Sequence, residues 1–154
     1  MKIAFAKNCS IAIFTYNRIP WILEYIQFLE KGNFSGDFLI ADGSDEHNHQ
    51  NLKSKCKNLE LNFNIIFINC PKKDGQSTAD NMAECINQLT KLNTKKYAIL
   101  STDDDFYIPK CLDLCEKFLE KNKSYSSVTG DIVGFDSNTI EHNFIRFVKN
   151  LKVV

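Results

Sequence analysis

YAILSTDDDFYIPKCLDLCEKFLEK, residues 97 to 121, joins three unlike pieces: an apolar run, three consecutive aspartates and an amphipathic stretch. The run 97–101 predicts a buried strand. The stretch 109–121 predicts a helix with Pro109 in its first turn, where a missing N–H does no harm. Like charges side by side at the edge of a core repel one another and resist desolvation, so Asp103, Asp104 and Asp105 need a compensating partner. The competing interpretation is a solvated acidic turn, or a set of acids favoured by the N-terminus of the following helix.

The same unit of strand, polar turn and helix recurs upstream. IAIFT (11–15) predicts a strand that runs into TYNR (15–18) and then a helix over 21–32, with Ile22, Ile26 and Leu29 on one face and Gly32 at its end. FLIA (38–41) is a second strand followed by DGSD (42–45), and the polar stretch 45–58 reads as loop and helix. FNIIFIN (63–69) is a third strand, followed by NCPKKDGQS (69–77) and a helix over 76–89. Ala79, Met82, Ile86 and Leu89 form the expected inner stripe of that helix, and Ser77 its cap, with Asp80 three residues on. SSVTGDIVGF (126–135) is expected to be a fifth strand, and FIRFVKNLKVV fits either a strand or a short helix. This alternation predicts an α/β fold, a mostly parallel sheet with helices on both faces, in a single domain over residues 1–154.

Composition narrows the functions. Lys+Arg and Asp+Glu balance at 19 each among 154 residues, which gives no basic excess for a nucleic-acid partner. Hydrophobic residues make up 44% and charged residues 25%, as in a globular domain with a core. No run reaches the ~18 apolar residues of a transmembrane segment. Lys7 and Asn8 interrupt the short apolar run at the N-terminus, which is not read as a signal peptide. The six cysteines contain no C-x-x-C pair and read as buried free thiols, with Cys111 and Cys115 on one helix face. His47 and His49, in DEHNHQN, are expected to be solvated.

In open α/β sheets ligands bind outside the carboxyl ends of the strands. TYNR, DGSD, NCPKKDGQS and TDDDF all follow strands, so their polar groups fall on one edge of a parallel sheet. Two or three carboxylates on such a loop suit Mg²⁺, Mn²⁺ or Ca²⁺, and a cation held by one or two carboxylates completes its shell with water and substrate phosphate. Arg18, Lys72 and Lys73 supply positive charge to the same edge or stand as solvated surface.

Four segments in this order resemble the family-2-type glycosyltransferases of the GT-A fold, a Rossmann-like architecture. SIAIFTYNRIPWILEYIQFLE resembles their opening, FLIADGSD their second strand, DGQSTADNMAECIN the helix that follows a glycine, and YAILSTDDDFYIPKCLDLCEKFLEKN the strand with its D-x-D motif. The resemblance spans about residues 10 to 122. It implies a nucleotide-diphospho-sugar donor, with Mn²⁺ or Mg²⁺ as cofactor, and a glycan or lipid-linked acceptor that the sequence does not identify. By position, Thr15, Tyr16, Asn17, Arg18 and Asp42 border the nucleoside, Asp103 and Asp104 contact the nucleotide sugar, and Asp103 with Asp105 holds the metal. The other register would put Ser101 at the first acid position. The resemblance further implies a cytoplasmic protein, alternatively one peripheral to the inner membrane face.

Three features depart from the family pattern. Ala41 stands where a second acid is common, and Asp80 where a basic residue is common. The acceptor half is expected to be largely absent, as in a truncated relative, and no general base is identified; Asp131 and Asp136 read as loop or structural acids. The alternative function is a non-catalytic nucleotide-sugar-binding module. A receiver-like site is disfavoured because TYNR, not an acidic pair, follows the first strand. A D-x-D-x-T phosphatase motif is disfavoured because residue 107 is Tyr.

Overall fold

A computed structural model describes residues 3–130 of the protein. Strands and helices alternate through β1 (Cys9–Thr15), α1 (Ile19–Lys31), β2 (Asp37–Asp42), α2 (Glu46–Lys57), β3 (Asn64–Asn69), α3 (Thr78–Leu92), β4 (Tyr97–Thr102) and α4 (Pro109–Lys121). All strand pairs are parallel, in the order β3-β2-β1-β4. The expected Rossmann-like α/β architecture is the one observed. The fifth strand expected over 126–135 does not begin within 126–130, and the rest of it, with Asp131 and Asp136, lies outside the described residues.

The period of two along each strand divides the core. Ile11 and Ile13 of β1, with Phe38 and Ile40 of β2, face Ile22, Tyr25, Ile26 and Leu29 of α1, Leu52 and Cys56 of α2, and Leu112 of α4. Ala12, Leu39, Ala41 and Ile68 face the other way, onto Cys85 and Leu89 of α3. Helices α1, α2 and α4 thus cover one face and α3 the other. β2 is buried at every position and β1 at all but Phe14, because both are central and sandwiched. β4 departs from the expectation of a buried strand. Among the described residues it lies at the sheet edge, where Tyr97 and Ile99 pack against the α1 side while Leu100 is 51% exposed on the opposite face.

Local chemistry sets the helix ends. Ser77 adopts an extended conformation and accepts a hydrogen bond from the Asp80 N–H (3.0 Å), as the sequence predicts for an N-cap. Pro109 occupies the first turn of α4. Gly32 follows α1 with an ordinary negative φ, and the left-handed residue that turns the chain is Asn33 (φ 56°). The glycine answers to crowding instead, since a Cβ there would lie 2.7 Å from Cγ of Pro109. The stripe that α3 buries is Asn81, Cys85 and Leu89, with Met82 and Ile86 half-buried and Ala79 exposed. The expected stripe was misplaced because a polar residue, Asn81, faces inward; its amide donates to the Cys70 carbonyl (3.2 Å).

β1 is flanked by β2 on one side and β4 on the other, so the chain reverses its direction of travel across the sheet between β1 and β4. A crevice opens outside the carboxyl ends of strands at such a switch point. No described helix is long and apolar enough to cross a membrane.

Candidate functional site

The register brings the polar strand ends together. Thr15 pairs with Asp42 across β1 and β2, and Phe14 with Thr102 across β1 and β4, so Asp103 emerges beside Thr15. The Thr15 hydroxyl donates to Oδ2 of Asp103 (2.6 Å), and Nη1 of Arg18 donates to its Oδ1 (2.7 Å). Asp103 is only 3% exposed, so both oxygens of a buried carboxylate are engaged. This is the compensating partner that the three aspartates require. A charge-assisted hydrogen bond and a hydroxyl replace the lost water. The same Arg18 nitrogen lies 3.6 Å from Oδ2 of Asp104.

Asp104 and Asp105 are exposed. The Thr102 hydroxyl lies 2.6 Å from Oδ1 of Asp104 and 3.3 Å from Oδ2 of Asp105, so the two carboxylates converge on one oxygen. The hydrogen bond from Thr102, with Arg18 nearby, holds the Asp104 carboxyl below the usual carboxylate range. Behind this tip the chain is anchored. Phe106 stacks on Tyr25 (centroids 4.4 Å apart, rings 6° from parallel), and the Tyr107 N–H donates to the Tyr25 phenol oxygen (3.1 Å). Burial pushes the Tyr25 phenol up, so it stays a neutral hydroxyl. The acidic turn is therefore fixed at Asp103 and again at Phe106, with two carboxylates presented between.

The turn after β1 is fixed by the loop after β2. Asn17 takes a left-handed conformation (φ 53°), a region that asparagine tolerates better than most residues. Its N–H donates to the Ser44 hydroxyl (2.7 Å), and its side-chain oxygen accepts from the Asn48 amide (3.1 Å). Asp45 caps α2 by accepting from the Asn48 N–H (2.8 Å). Arg18 follows directly, its guanidinium 5.3 Å from the Trp21 ring centre. Tyr16 lies on the surface.

Asp42 is buried and turned toward α2. Its Oδ1 accepts the Ser44 N–H (2.9 Å), and Nδ1 of His49 lies 3.2 Å from its Oδ2. His49 is thus buried, against the expectation of a solvated histidine. The reason is the stripe His49, Leu52, Cys56, spaced three and four apart, which α2 buries against the sheet. That spacing was present in the sequence but was masked by the surrounding polar residues. Asp42, Asn17, Ser44 and His49 form one connected group, while Arg18, Thr15 and Asp103 form a second, joined to it through the backbone of β1 and the 15–18 turn.

Asp103 and Asp105, the pair expected to share a metal, have separate partners. Among the described residues no group of three or more His, Cys, Asp or Glu side chains stands ready to hold a metal ion. Asp104 and Asp105 converge instead on the Thr102 hydroxyl and remain exposed. Lys73 is paired with Glu84 (2.9 Å), and Lys72 lies 3.5 Å from the Thr78 hydroxyl; both sit on the loop after β3, beyond β2 from this crevice.

Fold and site together define an open parallel α/β protein with a buried aspartate paired to a half-buried arginine and two exposed carboxylates at its switch point. No protein-family model and no curated protein matches the chain.

Proposed function

We propose that this chain is the donor-binding part of a family-2-type glycosyltransferase, taking a nucleotide-diphospho-sugar together with Mn²⁺ or Mg²⁺. The observation that carries the proposal is the Thr15–Asp103–Arg18 link, which joins the T-Y-N-R turn to the acidic turn at the one crevice where such a fold binds ligands. In this reading the 15–18 turn and the Asp42 loop border the nucleoside, held in shape by Ser44, Asn48 and His49. Asp103 fixes the orientation of Thr15 and Arg18. Asp104 and Asp105 would hold the cation, whose chemistry is to stabilise negative charge on the leaving diphosphate. Arg18 adds a permanent positive charge beside it.

Calorimetric titration of the protein with UDP, GDP, CDP and dTDP, each with and without Mn²⁺, tests this. The expected result is tight binding of one nucleotide that depends on the metal. No heat with any of the four would overturn the proposal. Turnover of the matching sugar nucleotide separates a transferase from a module that only holds its ligand.

A further inference from the structure

We infer that the outer edge of β3, with the groove between β3 and α2, docks an extended acidic segment of a partner protein, which adds to the sheet as a further strand. This does not depend on the donor-site reading. Among the described residues β3 pairs only with β2. The Cys70 N–H donates to the Asp42 carbonyl (2.8 Å), so the alternation along the strand turns the N–H and C=O groups of Ile65, Phe67 and Asn69 away from β2. The strand reads NIIFIN and contains neither the proline nor the charge that commonly blunts an exposed edge. A row of outward donors and acceptors on an apolar strand is a template for one more strand.

The groove beside that edge defines the strand that fits. Its volume is about 680 Å³, Leu59, Phe63, Ile65 and Phe67 give it an apolar lining, and its charged groups are Lys53 and Lys57. Both lysines are exposed, and the ion pairs among the described residues use other lysines. Of the acids nearby, Glu46 is taken up by Gln50 and Asn69, Glu30 by Asn62, and Glu60 lines the adjoining cavity against α1. On one face of a strand side chains recur at every second residue. An added strand that carries apolar residues and acids in turn on that face fills the groove and meets the lysines. A second copy of this chain fits less well. Antiparallel pairing of β3 with β3 about a two-fold axis sets the lysines of both copies on one face, where like charges repel. A bilayer surface offers no backbone to complete the row.

The test is amide hydrogen exchange of the 154-residue protein by NMR, alone and with a ten-residue peptide in which threonine alternates with glutamate and valine in turn. Fluorescence anisotropy of the labelled peptide measures its affinity. In the protein alone, the Ile65 and Phe67 amides should exchange quickly while those of Ile66 and Ile68 are protected. The acidic peptide should bind and slow Ile65 and Phe67, and its counterpart with lysine for glutamate should not. Lys53→Glu/Lys57→Glu changes two exposed residues; it should weaken the acidic peptide about tenfold and let the lysine peptide bind. Protection of Ile65 and Phe67 in the protein alone overturns the inference. If that protection is independent of protein concentration, this chain covers the edge itself; if it grows with concentration, a second copy does. Equal binding of the two peptides, or binding of neither, also overturns it, and phosphatidylserine vesicles bound by the parent in place of peptide would assign the lysines to a membrane surface.

Discussion

Replacing Thr15 with Val tests the central link of the site while keeping a β-branched side chain of nearly the same shape in β1. Thr15 is 2% exposed and Asp103 3%, and the hydroxyl lies 2.6 Å from the carboxylate. Valine leaves Oδ2 of a buried, ionised group without its donor, and water has little access to replace it. A hydrogen bond to a charged group is worth about 1.5–3 kcal/mol, so the expected loss is about 2 kcal/mol. For a domain of this size that corresponds to a fall of about 4–8 °C in Tm. Urea unfolding followed by far-ultraviolet circular dichroism measures it as a lower midpoint with an unchanged slope. Thr15→Ser is the control. It keeps the hydroxyl and gives up a methyl group, at about 1 kcal/mol. Packing alone would rank Val above Ser; the hydrogen bond ranks Ser above Val. A Val variant as stable as the Ser variant would refute the assigned role of the hydroxyl.

Three further outcomes follow from other parts of the fold. A Cβ on Gly36 would overlap the Cys9 carbonyl oxygen and lie 2.7 Å from that of Ala6, so Gly36→Ala should destabilise by about 3 kcal/mol or more, read from the urea midpoint. Burial pushes the Glu116 carboxyl above its ordinary range, against hydrogen bonds from the backbone and side chain of Asn8. The folded protein therefore keeps this proton to a higher pH than the unfolded chain, and its contribution to stability falls as pH rises through that interval; the Tm difference between Glu116→Gln and the parent should grow in the variant's favour from about pH 4 to pH 7. The thiols give a third check. Cys111 is exposed and Cys115 half-buried, whereas Cys9 and Cys56 are buried and pushed up to about 12 and about 11, and Cys70 and Cys85 are buried and raised as well. A thiol reagent at about pH 8 should label Cys111 first and Cys115 more slowly, and reach the other four only after denaturation.

The elements were legible because each has a local signature. The apolar runs of β1 and β2, the cap at Ser77 and the limits of α4 are set by residues within a few positions of one another, and the sequence states them directly. The clustering of Thr15, Arg18 and Asp103 was also within reach, since parallel strands put all their carboxyl ends on one edge. Strand order was not legible. Nothing local in YAILST distinguishes an edge strand from a central one; among the described residues β4 pairs only with β1, and Leu100 is exposed. Long-range polar contacts were missed for a related reason. Asp42 finds His49 through the packing of α2, and Asn81 finds the Cys70 carbonyl through that of α3, so a polar residue sits where an apolar stripe was expected. The left-handed Asn17 belongs to the same class, because its conformation is fixed by Ser44 and Asn48 from other parts of the chain.

The strand order also sets a timetable for folding. β1, β2 and β3 are neighbours both in the chain and in the sheet, whereas the Thr15–Asp103 contact closes a span of 88 residues. Short closures cost less chain entropy than long ones, which favours their earlier formation. The half of the crevice made by Asn17, Asp42, Ser44 and His49 can therefore take shape early, with Thr15 and Arg18 still lacking their acceptor. On this order the carboxylates arrive after them, carried in on β4. Pulse-labelled hydrogen exchange during refolding should accordingly find the amides of β2 protected before those of β4, and simultaneous protection would contradict this sequence of events. A newly made chain would then carry Arg18 hydrated at its surface, without its carboxylate partner, until the acidic turn has been synthesised and docked.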